Sequence, residues 1–380
     1  MTDAMTGSTR PPATSVRRWQ VPGRVNLIGE HLDYNGGPSV PFAIDRFVTL
    51  KARRRDDDAV NVWSTLPGTT SAERASFTTG VTSGEVSGWA AYVAGTVWSL
   101  REAGHDVPGV DLVLESDLPS GAGLSSSAAL TVGTACALED LAGLGLDRTA
   151  VALLAQRAEN DYVGAPTGVM DQLAVAHGRA GHAVRTDPST SPPGVEVVPF
   201  AVAESGLVVL VVDTGVHHAH AGGGYADRRR ESEQAAAELG LDHLAKAGPD
   251  AVLRLEDETL KARTRHVITE TARVRAAVRA LGDGEWKQLG TILTASHESL
   301  RDDYAVSCAE LDVTVEAALE AGALGARMTG GGFGGSVIAL VPRDRLDAVT
   351  ALVRERFEAL GWERPAAFPV VPADGARLTD

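Results

Sequence analysis

Leu118-Pro119-Ser120-Gly121-Ala122-Gly123-Leu124-Ser125-Ser126-Ser127-Ala128-Ala129-Leu130 is the stretch on which the reading of the chain turns. Before it, Val110–Glu115 alternates and is rich in β-branched and aliphatic residues, the pattern of a strand. After it, Ala128–Leu141 carries Ala and Leu at helical spacing, so a helix is expected to begin near Ser126 or Ser127. A strand, a Gly/Ser loop and a helix N-terminus together favour an anion, because free N–H groups and the positive end of the helix dipole converge there. Gly121 and Gly123 let backbone come close, and three hydroxyls add donors or a metal ligand. One serine is explained by ordinary helix capping; three in a row behind Gly-Ala-Gly exceed that need. Gly121, Ala122, Gly123, Leu124, Ser125, Ser126 and Ser127 are therefore read as a phosphate cradle. It is not a Walker A, which ends in Gly-Lys-Ser/Thr, and it does not match the dinucleotide Gly-x-Gly-x-x-Gly pattern.

The 380 residues suggest two domains, and 44% hydrophobic with 22% charged residues is ordinary for a globular protein. Lys and Arg number 35 against 50 Asp and Glu, a formal charge of −15, which argues against nucleic acid or an anionic membrane as partner. The basic runs are cancelled locally: Arg53-Arg54-Arg55 meets Asp56-Asp57-Asp58, and Arg228-Arg229-Arg230 meets Glu231. A nucleotide bound here needs positive field from backbone N–H groups, a divalent metal and a few placed cations. Two cysteines, Cys136 and Cys308, make no disulfide framework, and Cys136 inside a helix reads as a buried inert thiol. Residues 1–15 read as a disordered extension, not a signal peptide. Leu207–Val212, the longest strongly apolar strand-like run, is far too short to span a bilayer, so cytoplasmic residence is expected; the protein is also expected to be a monomer.

The second dense stretch is Pro22-Gly23-Arg24-Val25-Asn26-Leu27-Ile28-Gly29-Glu30-His31-Leu32-Asp33-Tyr34-Asn35-Gly36-Gly37. An apolar piece carries Arg24, and a turn then presents Glu30, His31 and Asp33, side chains suited to a hydroxyl-rich ligand because carboxylates accept strongly from hydroxyls. A solvated polar loop is the plain alternative. Farther on, Glu159 lies twelve residues before Asp171 across Gly164-Ala165-Pro166-Thr167-Gly168. Gly325–Gly335 is a third dense stretch, with five glycines between 330 and 335 that exclude helix or regular strand.

Pro22–Gly37, the phosphate-loop stretch, the Glu159–Asp171 spacing and Gly325–Gly335 together resemble the galactokinases of the GHMP kinase superfamily, and the resemblance covers roughly Val16 to the C-terminus. Leu32 departs from it, since many members carry Thr there. The resemblance implies an α+β, two-domain fold with the active site between the domains. Residues 16–190 would form the N-terminal, ribosomal-protein-like α/β domain and residues 195–380 the ferredoxin-like C-terminal one. It implies transfer of the ATP γ-phosphoryl group to the anomeric hydroxyl of D-galactose, giving galactose 1-phosphate, in galactose metabolism. Asp171 would be the general base and Arg24 would stabilise developing charge and the charged form of Asp171. Ser127 and Glu159 would hold Mg²⁺, and Glu30, His31, Leu32, Asp33 and Tyr225 the sugar. Ser64 and residues 121–127 would bind ATP, with the Gly325–Gly335 loop packed against the phosphate loop.

Other expectations are local. Phe47–Arg55 and Ala59–Ser64 read as a hairpin. Helices are expected over about Gly88–Ala103, Thr149–Val163, Tyr225–Leu239, Glu258–Leu281 and Glu285–Tyr304, with a Pro/Ser/Gly-rich domain connection over Arg185–Pro199. Trp89 reads as core packing or as an adenine platform, and His297 as structural or functional. His217, His218 and His220 lack the partner cluster of a metal site. Two rival readings are a kinase for N-acetylgalactosamine or another sugar, and a silent sensor that binds ATP and galactose without turnover.

Overall fold

The structure is a computed structural model describing residues 15–65, 73–119, 122–217 and 221–379. Most of the expected N-terminal extension, Ser120, Gly121, His218, His220 and the side chain of His217 lie outside the described residues. The first half contains β1 (Arg17–Asn26), β2 (Pro41–Arg54), β3 (Ala59–Thr65), β4 (Glu73–Thr78), α1 (Ala90–Glu102), β5 (Val110–Ser116), α2 (Ser126–Ala142), α3 (Arg148–Arg157) and α4 (Met170–His177). A hairpin of β6 (His182–Asp187) and β7 (Gly194–Pro199) follows. Next come β8 (Leu207–His217), α5 (Ala221–Leu239), α6 (Glu258–Asp283), α7 (Trp286–Asp302) and α8 (Ala309–Glu320). β9 (Gly325–Thr329), β10 (Gly334–Pro342), α9 (Leu346–Ala359), β11 (Ala366–Val370) and β12 (Arg377–Leu378) complete the order.

Two sheets organise these elements. The first runs β12-β1-β2-β5-β3-β4, antiparallel except for β3 beside β5; the second is the antiparallel β11-β8-β10-β9. In β5 the alternation reads out directly, with Val110, Leu112 and Leu114 buried between partly exposed neighbours. α2 lies on β1 and β2 because its small residues allow close approach: a Cβ at Gly133 would sit 2.8 Å from a Val21 methyl. Its C-terminus closes on Gly143 with φ 67, a left-handed cap that glycine adopts without strain. One buried apolar cluster runs through both halves. At the seam the Phe42 ring meets Phe200 at 5.2 Å, and Phe200 meets Trp286 at 6.2 Å. Such aromatic pairs contribute about 0.5–1.5 kcal/mol each beyond their buried area.

Four expectations are corrected. β2 and β3 are not hairpin partners, because β5 lies between them. Residues 55–58 span roughly 10 Å, two strand spacings, and the start of β5 enters under them at Gly109, where a Cβ would lie 2.2 Å from the Asp57 carbonyl. Residues 185–199 are not an irregular connection: Val184 and Val198 are buried, and the Pro/Ser/Gly signal belongs to the hairpin turn alone. α5 begins at Ala221, so Gly222–Gly224 are helical; Gly224 is there for close approach, a Cβ being 2.6 Å from the Phe333 ring. The helix of Glu159 becomes π-helical over Ala158–Val163. Among the described residues no helix is long and apolar enough to cross a membrane.

Candidate functional site

The cleft is built from the ends of β1 and α4, the loop before α2, and the glycine segment between β9 and β10. Arg24 leaves β1 beside a register shift between Pro22 and Arg24, and its backbone N–H donates to the Leu124 carbonyl at 3.1 Å. The guanidinium, 5% exposed as a residue, grips Asp171 in the first turn of α4 with both prongs: Nε to Oδ1 at 2.8 Å and Nη2 to Oδ2 at 2.9 Å. Nη1 donates to the Gly123 carbonyl at 2.5 Å. Burial acts to lower the Arg24 pKa, but Asp171, Glu30 and Asp33 outweigh it and the group is raised.

The three serines behave differently from helix caps. Ser125 occupies the N-cap position in left-handed backbone (φ 57) and makes no side-chain cap bond. Its hydroxyl donates instead to Asp171 Oδ2 at 2.5 Å. The cap is thus given up to position the aspartate, which the sequence reading did not anticipate. Ser126 and Ser127 open α2 and line a cavity of about 320 Å³ together with Arg24, Asp171, Gly330 and Gly331. The loops of the two halves meet here, with the Ser336 hydroxyl donating to the Ala122 carbonyl at 2.7 Å.

Glu159, 1% exposed, points from the π-helical turn toward α2. Its Oε1 accepts from Thr131 Oγ1 at 2.9 Å and Gln172 Nε2 at 2.8 Å. Burial raises its pKa against those bonds and one with Ser127. The Ser127 hydroxyl and Glu159 carboxylate are therefore neighbours beside the phosphate loop, and this pair of hard oxygens fits a magnesium ion, which takes one or two protein oxygens and leaves its other positions to phosphate and water. Ser64, next to last in β3, is fully buried and does not line the 320 Å³ cavity. Trp89, at the start of α1, packs on the core. The structural reading of His297 is the one supported: it is 1% exposed and its Nδ1 accepts from the Met328 N–H at 3.3 Å.

Residues 29–35 form a loop held in tension. Gly29 has φ 98 and His31 φ 62, the second a backbone conformation that costs a non-glycine residue about 1 kcal/mol or more. Bonds from the second half hold it. Glu270, fully buried on α6, accepts from the Gly29 N–H at 3.0 Å, and His266 Nε2 lies 3.3 Å from the Glu30 carbonyl. Burial alone would raise Glu270, yet Arg273 and His266 bring it down to about 2, so it stays ionised. Glu30 Oε1 accepts from the Gly330 N–H at 2.7 Å and Thr329 Oγ1 at 3.0 Å, which ties this loop to the glycine segment. Leu32 is fully buried in the apolar core, so its side chain anchors the loop.

Asp33, His31, Tyr34 and Tyr225 meet on the cleft side. The Tyr225 ring lies 5.5 Å from His31 and 5.5 Å from Tyr34. Burial, then the nearby Asp171, push Asp33 up to about 7, while burial pushes His31 down to about 3. Tyr225 is raised, by burial and then by Asp33. Gly168 is shaped to this carboxyl: a Cβ there would lie 1.9 Å from Asp33 Oδ2. The sequence reading missed Tyr34, Gly168, His266, Glu270 and Tyr304. Of these, Tyr34 and Gly168 lay within stretches already singled out, while α6 carries no motif.

Three matches to known families cover much of the chain: the GHMP kinases N terminal domain over residues 91–179, the GHMP kinases C terminal over 276–359, and the galactokinase galactose-binding signature over 8–54. A galactokinase of Streptomyces coelicolor is 48% identical over 364 residues, covering 94% of this chain and 93% of its own. The structure of Lactococcus lactis galactokinase complexed with galactose superposes with a TM-score of 0.88 at 33% identity, covering 96% of this chain and 95% of its own. An L. major mevalonate kinase, at 20% identity and a TM-score of 0.66 over 97% of this chain and 99% of its own, shares the fold.

Proposed function

This chain belongs to the galactokinases of the GHMP kinase family, ATP-dependent sugar kinases, and we propose that it transfers the ATP γ-phosphoryl group to the anomeric hydroxyl of D-galactose, releasing galactose 1-phosphate and ADP. The observation that carries this reading is the bidentate Arg24–Asp171 pair, set between the phosphate loop and the Asp33–Tyr225 cluster. Asp171 takes the hydroxyl proton as general base. Arg24 orients that carboxylate and places a fixed positive charge where the transferring group becomes more negative. A silent sensor has no use for such a pair.

Residues 122–127, with Gly121, cradle the phosphates, and Ser64 belongs to the nucleotide side. Ser127 and Glu159 would hold Mg²⁺, which, when bound, neutralises charge on the β- and γ-phosphates. Asp33, His31 and Tyr225 hold the sugar hydroxyls, with Glu30 bracing the loop through Gly330. We place the domain boundary in the turn between β6 and β7, between residues 16–190 and 195–380, and read the enzyme as a cytoplasmic monomer. The test is ADP release across free monosaccharides, including glucose and N-acetylgalactosamine. Glucose lacks the axial 4-hydroxyl, and leaving the half-buried Asp33 or Tyr225 unpartnered under a bound sugar costs about 1–3 kcal/mol. Galactose should therefore be favoured at least about tenfold; equal turnover of both sugars overturns the sugar site.

A further inference from the structure

Tyr304 follows α7, is fully buried, and has a phenol at the centre of a hydrogen-bonded chain. Its oxygen lies 2.7 Å from Ser232 Oγ on α5 and 2.9 Å from the Tyr34 hydroxyl, and accepts from Asn35 Nδ2 at 3.3 Å. Tyr34 in turn lies 2.9 Å from His31 Nδ1. Asn35 also donates to the His31 carbonyl at 2.6 Å, so the same hub pins the left-handed backbone of that residue. The Tyr304 ring supports the imidazole from behind at 4.8 Å. We propose that Tyr34, anchored by Tyr304, is a positioning residue that holds His31 in its Nε2–H tautomer and leaves that N–H for the bound sugar.

Each hydroxyl in the chain has one proton to give. Only the order in which Ser232 donates to Tyr304, Tyr304 to Tyr34, and Tyr34 to His31 Nδ1 gives each of those protons an acceptor in the chain. Any order in which Nδ1 donates to Tyr34 leaves one hydroxyl proton unused. With Nδ1 accepting from Tyr34, the ring proton falls on Nε2, which is buried and makes no hydrogen bond of good geometry. Burial also keeps the ring neutral, so the tautomer is well defined. Nε2 is left as a buried donor awaiting an acceptor, beside Tyr225. An oxygen of the sugar supplies that acceptor.

The inference rests on the reading of His31 as a sugar contact, and the experiment separates the two. In full-length protein labelled with ¹⁵N-histidine and free of sugar, His31, assigned through His31→Asn, should show a bare Nδ1 and a protonated Nε2 near neutral pH. Tyr34→Phe removes the bond to Nδ1 and should populate both tautomers. It should also raise KM for galactose about tenfold, the scale of one unmet buried bond, leaving KM for ATP and kcat at saturating galactose within about threefold of wild type. Tyr304→Phe, which takes away the hydroxyl that anchors Tyr34, should move both readouts in the same direction by a few-fold. A wild-type His31 carrying its proton on Nδ1, or an unmoved galactose KM in both variants, overturns the proposal. If His31→Asn alone leaves galactose binding intact, it is the sugar-contact reading that fails.

Discussion

Asp171→Asn separates the two jobs the cleft gives that residue. The amide keeps the size of the side chain and can still accept one bond from Arg24, but the bidentate ion pair at 2.8 and 2.9 Å is lost and the buried guanidinium keeps only the Gly123 carbonyl as a full partner. Opposite charges about 4 Å apart attract by about 4 kcal/mol at an effective dielectric of 20. The Asp171 side chain is 23% exposed, so water screens part of this, and the expected loss of stability is about 1–3 kcal/mol. Catalysis should suffer more. Loss of a positioned base costs about 10²–10⁴-fold in kcat, while calorimetric affinities for galactose and ATP stay near wild type. Arg24→Ala should also lower kcat. The double variant should be far less than multiplicatively worse, because residues that act as a unit are non-additive. Single-turnover rates for the four proteins, beside binding measurements, give the answer. The competing mechanism has Asp171 only orienting the hydroxyl, with its proton leaving after transfer. Asn orients a hydroxyl too, so an Asp171→Asn enzyme retaining more than about a tenth of wild-type kcat would refute the general-base assignment.

Three further outcomes are expected. Gly168→Ala places a methyl 1.9 Å from Asp33 Oδ2; the carboxyl must move, so galactose KM should rise at least about tenfold with ATP KM unchanged, and an unaltered sugar KM in steady-state kinetics would contradict the Asp33 contact. Asp33 also has a pH signature. Its folded pKa of about 7 exceeds the ordinary 3.8, so between those values the folded state keeps a proton that the unfolded state has lost, and stability falls as pH rises from about 4 to 7. The melting-temperature advantage of Asp33→Asn over wild type, measured without sugar, should accordingly be larger at pH 8 than at pH 5; a constant gap rejects the shift. Ser127→Ala and Glu159→Ala should each raise the Mg²⁺ concentration needed for half-maximal turnover, and the metal assignment fails if a magnesium titration is unchanged in both.

What could be read from the sequence was the part written in local chemistry. The strand at 110–116 and the helix start at Ser126 sit where alternation and spacing put them, because each is decided within a few residues by φ preferences and hydrogen-bond geometry. The Glu159–Asp171 spacing likewise survives intact, since helix, turn and helix start form one continuous local unit. The hairpin assignment at 47–64 failed for the opposite reason: β5 enters between β2 and β3 from more than forty residues away, and no signal in either strand announces it. The same limit applied to the site. Ser125 reads as one more hydroxyl of the phosphate cradle until Asp171 is brought within 2.5 Å of it.

The residues that escaped the reading share one physical property: they act on the sugar loop from behind, through backbone or through a second side chain. Glu270 and His266 stand one helical turn apart on α6 and bond the Gly29 N–H and the Glu30 carbonyl, so their value lies in the backbone shape they hold. That shape is costly, with His31 at φ 62, and a strained loop persists only where its surroundings over-determine it. The three residues 29–31 are bonded to α6, to Asn35 and to the Tyr34–Tyr304 chain, and Glu30 accepts from the Gly330 N–H. The two halves are thereby coupled through the loop that faces the sugar. Loosening any one support should then cost sugar affinity before it costs phosphate binding, since the phosphate loop takes its own bonds from Arg24 and Ser336.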